Sequence, residues 1–295
     1  MNLLITGAWQ QAAVHFDDIL SLGNEILFLQ QEKDALPCDP SWVEGVICNG
    51  LFLYHPIEQF CNLEYIQLTS AGFDRVPMDY VNAHGITIHN TRGVYSAPMA
   101  EFALAGVLSL YKKLDVFRVN QRSHRWDKQR DVRELSGRNV VIVGCGSVGT
   151  ECAKRFKAFG CTIIGIDVIV RTDETFDRIL PLDELDSVLC EADVIVLTLP
   201  LTETTKGLID ARRLGLIHGI LVNIARGAII NQKALEAWTG EAVLDVFEDE
   251  PLKEDSPLWD KEGFIITPHN SFIGEGNGNM LSGLIMKNLR SISIA

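Results

Sequence analysis

The sequence predicts an α/β protein of two doubly wound, parallel-sheet units. Three features point to this class. Short apolar runs alternate with segments of helical periodicity along the chain, and strands separated by helices imply βαβ units and hence parallel sheets. The runs are short and mostly apolar, as in buried strands. A glycine-rich turn stands near the middle of the chain, so a separate unit precedes it. With 295 residues, 47% of them apolar and 22% charged, the chain is large enough for two cores and too apolar for disorder.

In the first unit, residues 1–6, 45–48, 65–70 and 86–89 read as buried strands, bounded by Gly, Asn, Asp or Ser. Residues 12–22 have helical spacing. A long helix is expected over 98–121: Pro98 suits a first turn, and Ala100, Ala103, Leu104, Val107, Leu108 and Tyr111 form one apolar stripe. Residues 121–138 are polar and highly charged, which predicts surface. In the second unit the strands are expected at 140–143, 161–167, 193–199, 220–224, 242–247 and 264–267. Helical patterns fall at 150–159, 182–190 and 232–238, the last with Asn231 as N-cap.

Charge and cysteine content narrow the functions available. There are 26 Lys and Arg against 39 Asp and Glu, a net charge of −13. That disfavours a surface that neutralises nucleic acid or an anionic membrane, but one local Arg can still bind a small anion. Seven cysteines, with no CxxC, predict reduced thiols used as small hydrophobes, with no disulfide frame and no metal site. MNLLITGAWQ lacks a basic n-region, so no signal peptide is expected, and no membrane span is expected either. A cytoplasmic protein follows as the expectation.

The sharpest local signal is VVIVGCGSVG at 140–149, a GxGxxG turn with a strand before it and a helix after it. Gly144 permits the tight turn, Gly146 lets backbone approach a pyrophosphate, and Gly149 lets the helix pack on the strand. Amide groups at the helix start then hold phosphates. The next strand ends at Asp167, where a carboxylate accepts the adenosine ribose hydroxyls and repels a 2′-phosphate. NAD is therefore favoured over NADP, with Arg171 nearby as the opposing feature.

Later strands of the same unit end in polar residues, and open α/β sheets bind ligands beyond the carboxyl ends of their strands. Residues 220–226 deliver Arg226, residues 242–250 deliver Asp245 and Glu250, and residues 264–269 deliver His269. Singly, each has an ordinary explanation: a loop histidine, a turn arginine, a solvated acidic run (EDEPLKED) and a cap. Together, at successive strand ends of a nucleotide-binding sheet, they suit reduction of a 2-oxo acid. An imidazole supplies the proton, a neighbouring carboxylate supports its charged form, and a guanidinium grips the substrate carboxylate and polarises the carbonyl.

With VVIVGCGSVG, LTLPLTETTKGLI, LVNIARGAIINQKALEAW, AVLDVFEDEPL and FIITPHNS in order, the chain resembles the D-isomer-specific 2-hydroxyacid dehydrogenase family over almost its whole length. The resemblance implies two flavodoxin/Rossmann-like domains, 1–97 with 271–295 and 98–270, with an interdomain cleft, and a C-terminal helix over 279–294 crossing back to the first domain. It implies NAD as cofactor and a small 2-oxo or 2-hydroxy acid as substrate. Arg226 would hold and polarise the substrate, His269 would be the acid/base, and Glu250 its partner. Ser147 and Val148 would lie on the pyrophosphate, Leu199, Pro200 and Thr205 on the adenosine side, Ile224 and Ala225 on the nicotinamide side, and Asp245 at the carboxamide. Amide groups of Ala71 and Gly72 would bind the substrate carboxylate, and a homodimer through the NAD domain is the family norm.

Met99, Cys145 and Asn270 depart from the family pattern, while Glu250, in place of Gln, disfavours formate as substrate. The sequence does not name the acid, although the first-domain loops show no strong Arg or Lys cluster for a phosphate. An NAD(H)-sensing corepressor on the same fold is the alternative, but no flanking interaction segment is visible. An alanine dehydrogenase lacks this Arg–Glu–His order.

Overall fold

A computed structural model describes residues 1–292. The chain divides into two compact units: Met1–Tyr95 with the described residues from Gly274 onward, and Ser96–Ile273.

The first unit is a five-stranded sheet of β1 (Asn2–Thr6), β2 (Glu25–Leu29), β3 (Gly45–Cys48), β4 (Tyr65–Leu68) and β5 (Thr87–His89), with short helices α1 (Phe16–Ser21) and α2 (Met78–Ala83). Every pairing is parallel and the order is β2-β1-β3-β4-β5, the flavodoxin-like order. Strand residues alternate between two cores, Leu3 and Ile5 on one face and Leu4 on the other. The sequence reading misses β2 and α2. β2 is an edge strand exposed at Glu25 and Phe28, so only half of it carries a burial signal. α2 is six residues long, too short to display a period.

The second unit opens with α3 (Ser96–Tyr111) and α4 (Leu114–Arg122), then runs β6 (Asn139–Val143), α5 (Ser147–Ala158), β7 (Thr162–Ile166), β8 (Arg178–Leu180), α6 (Leu185–Leu189), β9 (Val194–Leu197), α7 (Ala211–Leu214), β10 (Ile220–Asn223), α8 (Gln232–Ala237), β11 (Glu241–Leu244) and β12 (Phe264–Ile266). Its seven parallel strands lie in the order β12-β11-β10-β9-β6-β7-β8. Counted from β6, this is the dinucleotide-binding order with one further strand at the edge. Val141 and Val143 face one core while Val140 and Ile142 face the other, which explains why the strand reads as an unbroken apolar run. The last described element is α9 (Asn277–Ile292), whose Leu281, Ile285, Met286 and Leu289 belong to a core of the first unit. Residues 293 and 294 of the expected helix lie outside the described residues.

The helix expected over 98–121 is two helices. Lys113 adopts a left-handed conformation, φ 52°, between α3 and α4, and breaks the axis. The apolar stripe of α3 packs with Cys152, Ala153 and Phe156 of α5, whereas α4 leaves Leu114, Val116, Phe117 and Val119 exposed. Asn231 caps α8 as expected, its side chain accepting from Ala234 N at 2.9 Å.

All seven cysteines are free thiols. Burial pushes Cys145 and Cys152 up to about 12 and Cys161 up to about 11. It also raises Cys48, and raises Cys38 with a smaller contribution from Asp39. Since the thiolate is the reactive form, titration of native protein with a thiol reagent near pH 8 should label the exposed Cys61 and Cys190 first. All seven should react only after denaturation; rapid native labelling of Cys145 or Cys152 would contradict this packing.

Candidate active site

The candidate residues of the second unit lie along one edge of its sheet. Gly144 follows β6, Asp167 follows β7, Leu199 and Pro200 follow β9, Arg226 follows β10, Asp245 follows β11 and His269 follows β12. These are all carboxyl ends of parallel strands, and the strand order reverses between β6 and β9, where such sheets bind their ligands.

The glycine turn is shaped by close packing. Gly144 has φ 98° and donates to Ile166 O at 2.7 Å. A Cβ there would lie 2.7 Å from Leu199 N, and one on Gly149 would overlap the Gly144 carbonyl oxygen. Gly146, by contrast, faces open space. No side chain caps α5, so its leading amide groups, Ser147 and Val148 among them, remain available to an anion. Asp167 stands beside the turn, with Oδ2 accepting from Cys145 N at 2.6 Å and Oδ1 from Ile169 N at 3.0 Å. Arg171 donates to Cys145 O at 2.6 Å. Cys145, unusual at its position, has its sulfur in space left by Gly165, where a Cβ would clash with it. An open approach at Gly146, an uncapped helix start and an adjacent carboxylate fit the diphosphate and ribose of a dinucleotide.

Several other cofactor candidates act first on the protein itself. The Thr205 hydroxyl donates to Pro200 O at 2.7 Å and accepts from Thr202 N at 2.8 Å, folding the loop after β9. Ile224 and Ala225 have their side chains in the two cores. Asp245 is fully buried; Oδ1 accepts from Thr267 Oγ1 and Asn270 N, both at 2.7 Å, and Oδ2 from Ser271 N at 2.9 Å. Its carboxylate thus organises the loop that carries His269. Sequence reasoning overlooks Thr198, which donates to Gly144 O at 2.6 Å and ties β9 to the turn. It also overlooks Asn223, a buried amide at the end of β10. A polar residue closing an otherwise apolar strand was the available signal for both.

His269 and Glu250 are brought together. His269 Nδ1 lies 2.7 Å from Glu250 Oε2, and Phe247 N donates to Glu250 Oε1 at 3.0 Å. An ionised carboxylate only accepts, so Nδ1 carries the hydrogen and Nε2 is left for other chemistry. The pair is about one-third exposed, 36% and 35%, so solutes can reach it. His269 has φ 51°, a conformation a non-glycine residue seldom adopts. It is held by its own amide donating to Asp245 O at 2.8 Å and by edge-on packing against Phe272. Arg226 belongs to the neighbouring turn. A Cβ on Gly227 would overlap the backbone of Phe247, so the turn after β10 is pressed against the loop bearing Glu250. Arg226 Nη1 donates to Ala225 O at 2.8 Å.

In the first unit, residues 70–74 follow β4. Asn90 Nδ2 donates to Ala71 O at 2.6 Å, Tyr95 OH donates to Thr69 O at 2.5 Å, and Ser70 Oγ donates to Gly72 O at 3.2 Å. These bonds use the loop's carbonyls and leave the amide groups of Ala71 and Gly72 without an acceptor among the described residues.

Parallel sheet order, the glycine turn and the His269–Glu250 pair at the strand ends fit a dinucleotide-binding α/β enzyme. Comparisons with known proteins narrow the class. The family described as D-isomer specific 2-hydroxyacid dehydrogenase, NAD binding domain, matches residues 104–271. The chain is 32% identical over 258 residues to a glyoxylate reductase of Thermofilum pendens, covering 83% of this chain and 74% of that one. It is also similar to the crystal structure of a D-isomer specific 2-hydroxyacid dehydrogenase family protein from Aeromonas salmonicida: TM-score 0.81, 30% identity, 99% of this chain and 95% of that one covered. It shares its fold with a D-lactate dehydrogenase from Aquifex aeolicus complexed with NAD and lactic acid, at TM-score 0.83 and 23% identity over 99% and 95% of the two chains. The chain belongs to the D-isomer specific 2-hydroxyacid dehydrogenase family and is an NAD-dependent enzyme.

Because Gly149 has no room for a side chain, Gly149→Ala should push α5 off the turn. Fluorescence titration should then show NADH affinity falling at least tenfold, whereas an unchanged Kd would mean that this turn does not hold the diphosphate.

Proposed function

We propose that the chain interconverts small 2-oxo acids and D-2-hydroxy acids with NAD(H), using His269 as acid/base, Glu250 as its orienting partner and Arg226 as substrate anchor. The His269–Glu250 pair at 2.7 Å, on a loop against which the Arg226 turn is packed, carries this reading.

Bound NADH supplies the hydride for the carbonyl carbon. The guanidinium of Arg226 suits a carboxylate bidentately, and its charge favours electron density moving onto the substrate oxygen. His269, with Nδ1 committed to Glu250, presents Nε2 to that oxygen and delivers the proton as the alkoxide develops; in the reverse direction it accepts the hydroxyl proton. Glu250 keeps the ring in one tautomer and stabilises imidazolium, while Phe247 N fixes the carboxylate in turn. Fixed charges of this kind, aimed at the developing alkoxide, are usually the largest catalytic contribution. Gly144, Gly146, Ser147, Val148 and Gly149 would hold the diphosphate of the cofactor, with Asp167 at its ribose.

NADH oxidation should be followed with glyoxylate, hydroxypyruvate and pyruvate. His269→Ala and Arg226→Ala should each lower kcat/KM by about a hundredfold or more, within the usual range for losing a general acid, while NADH still binds within twofold of wild type. Wild-type rates in either variant would overturn that residue's role. Intact NADH binding without turnover of any oxo acid would favour an NAD(H)-sensing protein instead.

The same reading places the protein in the cytoplasm as a homodimer through the cofactor unit. The exposed apolar residues of α4 (Leu114, Val116, Phe117, Val119) and Trp126, 94% exposed, give that unit apolar surface suited to a second copy. Light scattering should report twice the chain mass, and Val119→Asp with Trp126→Asp should halve it; a monomeric wild type would reject the dimer.

A further inference from the structure

We infer that Asn223 is a positioning residue for Arg226: its buried amide locks the turn from which the guanidinium projects, and so sets where the substrate carboxylate is met. This rests on the proposed role of Arg226.

Asn223 is the last residue of β10 and has no solvent exposure. Its Oδ1 accepts from Ala225 N at 3.1 Å and its Nδ2 donates to Arg226 O at 3.0 Å. One planar group thus satisfies an amide and a carbonyl of a single turn. The pairing also fixes the amide's orientation, since only the oxygen can accept and only the nitrogen can donate. Ala or Val at this position offers neither group, Asp offers no donor, and Gln is one methylene too long for the same reach. The remainder of the turn is held independently. Ile224 and Ala225 anchor in opposite cores, and Gly227 is pressed against Phe247. Arg226 Nη1 then donates to Ala225 O at 2.8 Å, so the guanidinium is gauged against the peptide lying between the two that Asn223 holds.

Asn223 is also joined to the loop bearing the imidazole. Asp245 N donates to Asn223 O at 3.0 Å, and the Asp245 carboxylate holds Asn270 N and Ser271 N. The guanidinium and the imidazole are therefore each set by a buried polar side chain at a strand exit, and the two exits share a backbone hydrogen bond. A strand end that needed only to stop would not require an acceptor and a donor aimed at two peptides of the following turn. Small displacements of a substrate-gripping group cost catalysis heavily, which makes such rigidity useful.

A double-mutant cycle with Arg226→Ala tests this. Asn223→Ala should lower kcat/KM with glyoxylate or hydroxypyruvate at least thirtyfold, through a raised KM and a reduced kcat. NADH Kd should stay within twofold and the pH profile should be unchanged. In the Arg226→Ala background the same substitution should cost less than twofold, because its effect passes through the guanidinium. Asn223→Asp, nearly isosteric, keeps the acceptor and loses the donor, and should behave alike. Independently of turnover, hydrogen exchange should show faster amide exchange confined to residues 224–227 in both variants.

Wild-type kcat/KM in either variant would overturn the inference, as would a loss that simply adds to that of Arg226→Ala, a parallel loss of NADH binding, or failure of both variants to fold. Full activity of Arg226→Ala would instead overturn the role of Arg226 itself.

Discussion

The carboxylate of Asp245, buried without solvent exposure at the exit of β11, is the interaction on which the candidate site depends. A buried charge is costly unless several donors meet it, and here Thr267 Oγ1, Asn270 N and Ser271 N do so. The same residue's carbonyl accepts from His269 N. The chain around β12 is thereby bent back on β11 tightly enough to keep His269 at φ 51°. Left-handed backbone at a non-glycine residue persists only where its surroundings over-determine it. Asp245 and the Glu250 contact together supply that determination.

The sheet makes this arrangement possible. Because every strand of the second unit is parallel, each βα turn emerges at the same edge. Residues far apart in sequence, from Gly144 to His269, therefore share one rim, while the central strands β9 and β10 are buried throughout. At that rim the polar residues that end the strands serve the backbone before they serve any ligand: Thr198 on Gly144, Asn223 on the Arg226 turn, Asp245 on the His269 loop. A rim built this way is rigid because its own peptides satisfy one another, while the start of α5 at Ser147 carries no side-chain cap.

Legibility in the sequence followed the strength of local signals. The central strands of both sheets are continuous apolar runs and declare themselves; edge strand β2, exposed at two of its five residues, does not. The stripe of α3 continues in sequence toward Gln121, yet Lys113 turns left-handed and redirects the chain, an event with no apolar or glycine marker. Arg226, Glu250 and His269 were legible because each is a polar residue in the turn that follows an apolar strand. Cys145 looks anomalous in the glycine turn, and only its packing over Gly165 accounts for it.

By itself the sequence determined which residue types stand at which strand ends, because hydrophobic runs, glycine spacing and polar terminators are local properties that fix strands and turns independently of their neighbours. Tertiary structure decided what those residues touch. The pairing of His269 with Glu250, the seating of Gly227 on Phe247, and the turning inward of Asp245 and Asn223 toward peptide groups all depend on strand order and register. Those are set by long-range packing of two cores against one sheet, and no local pattern encodes which exits become neighbours.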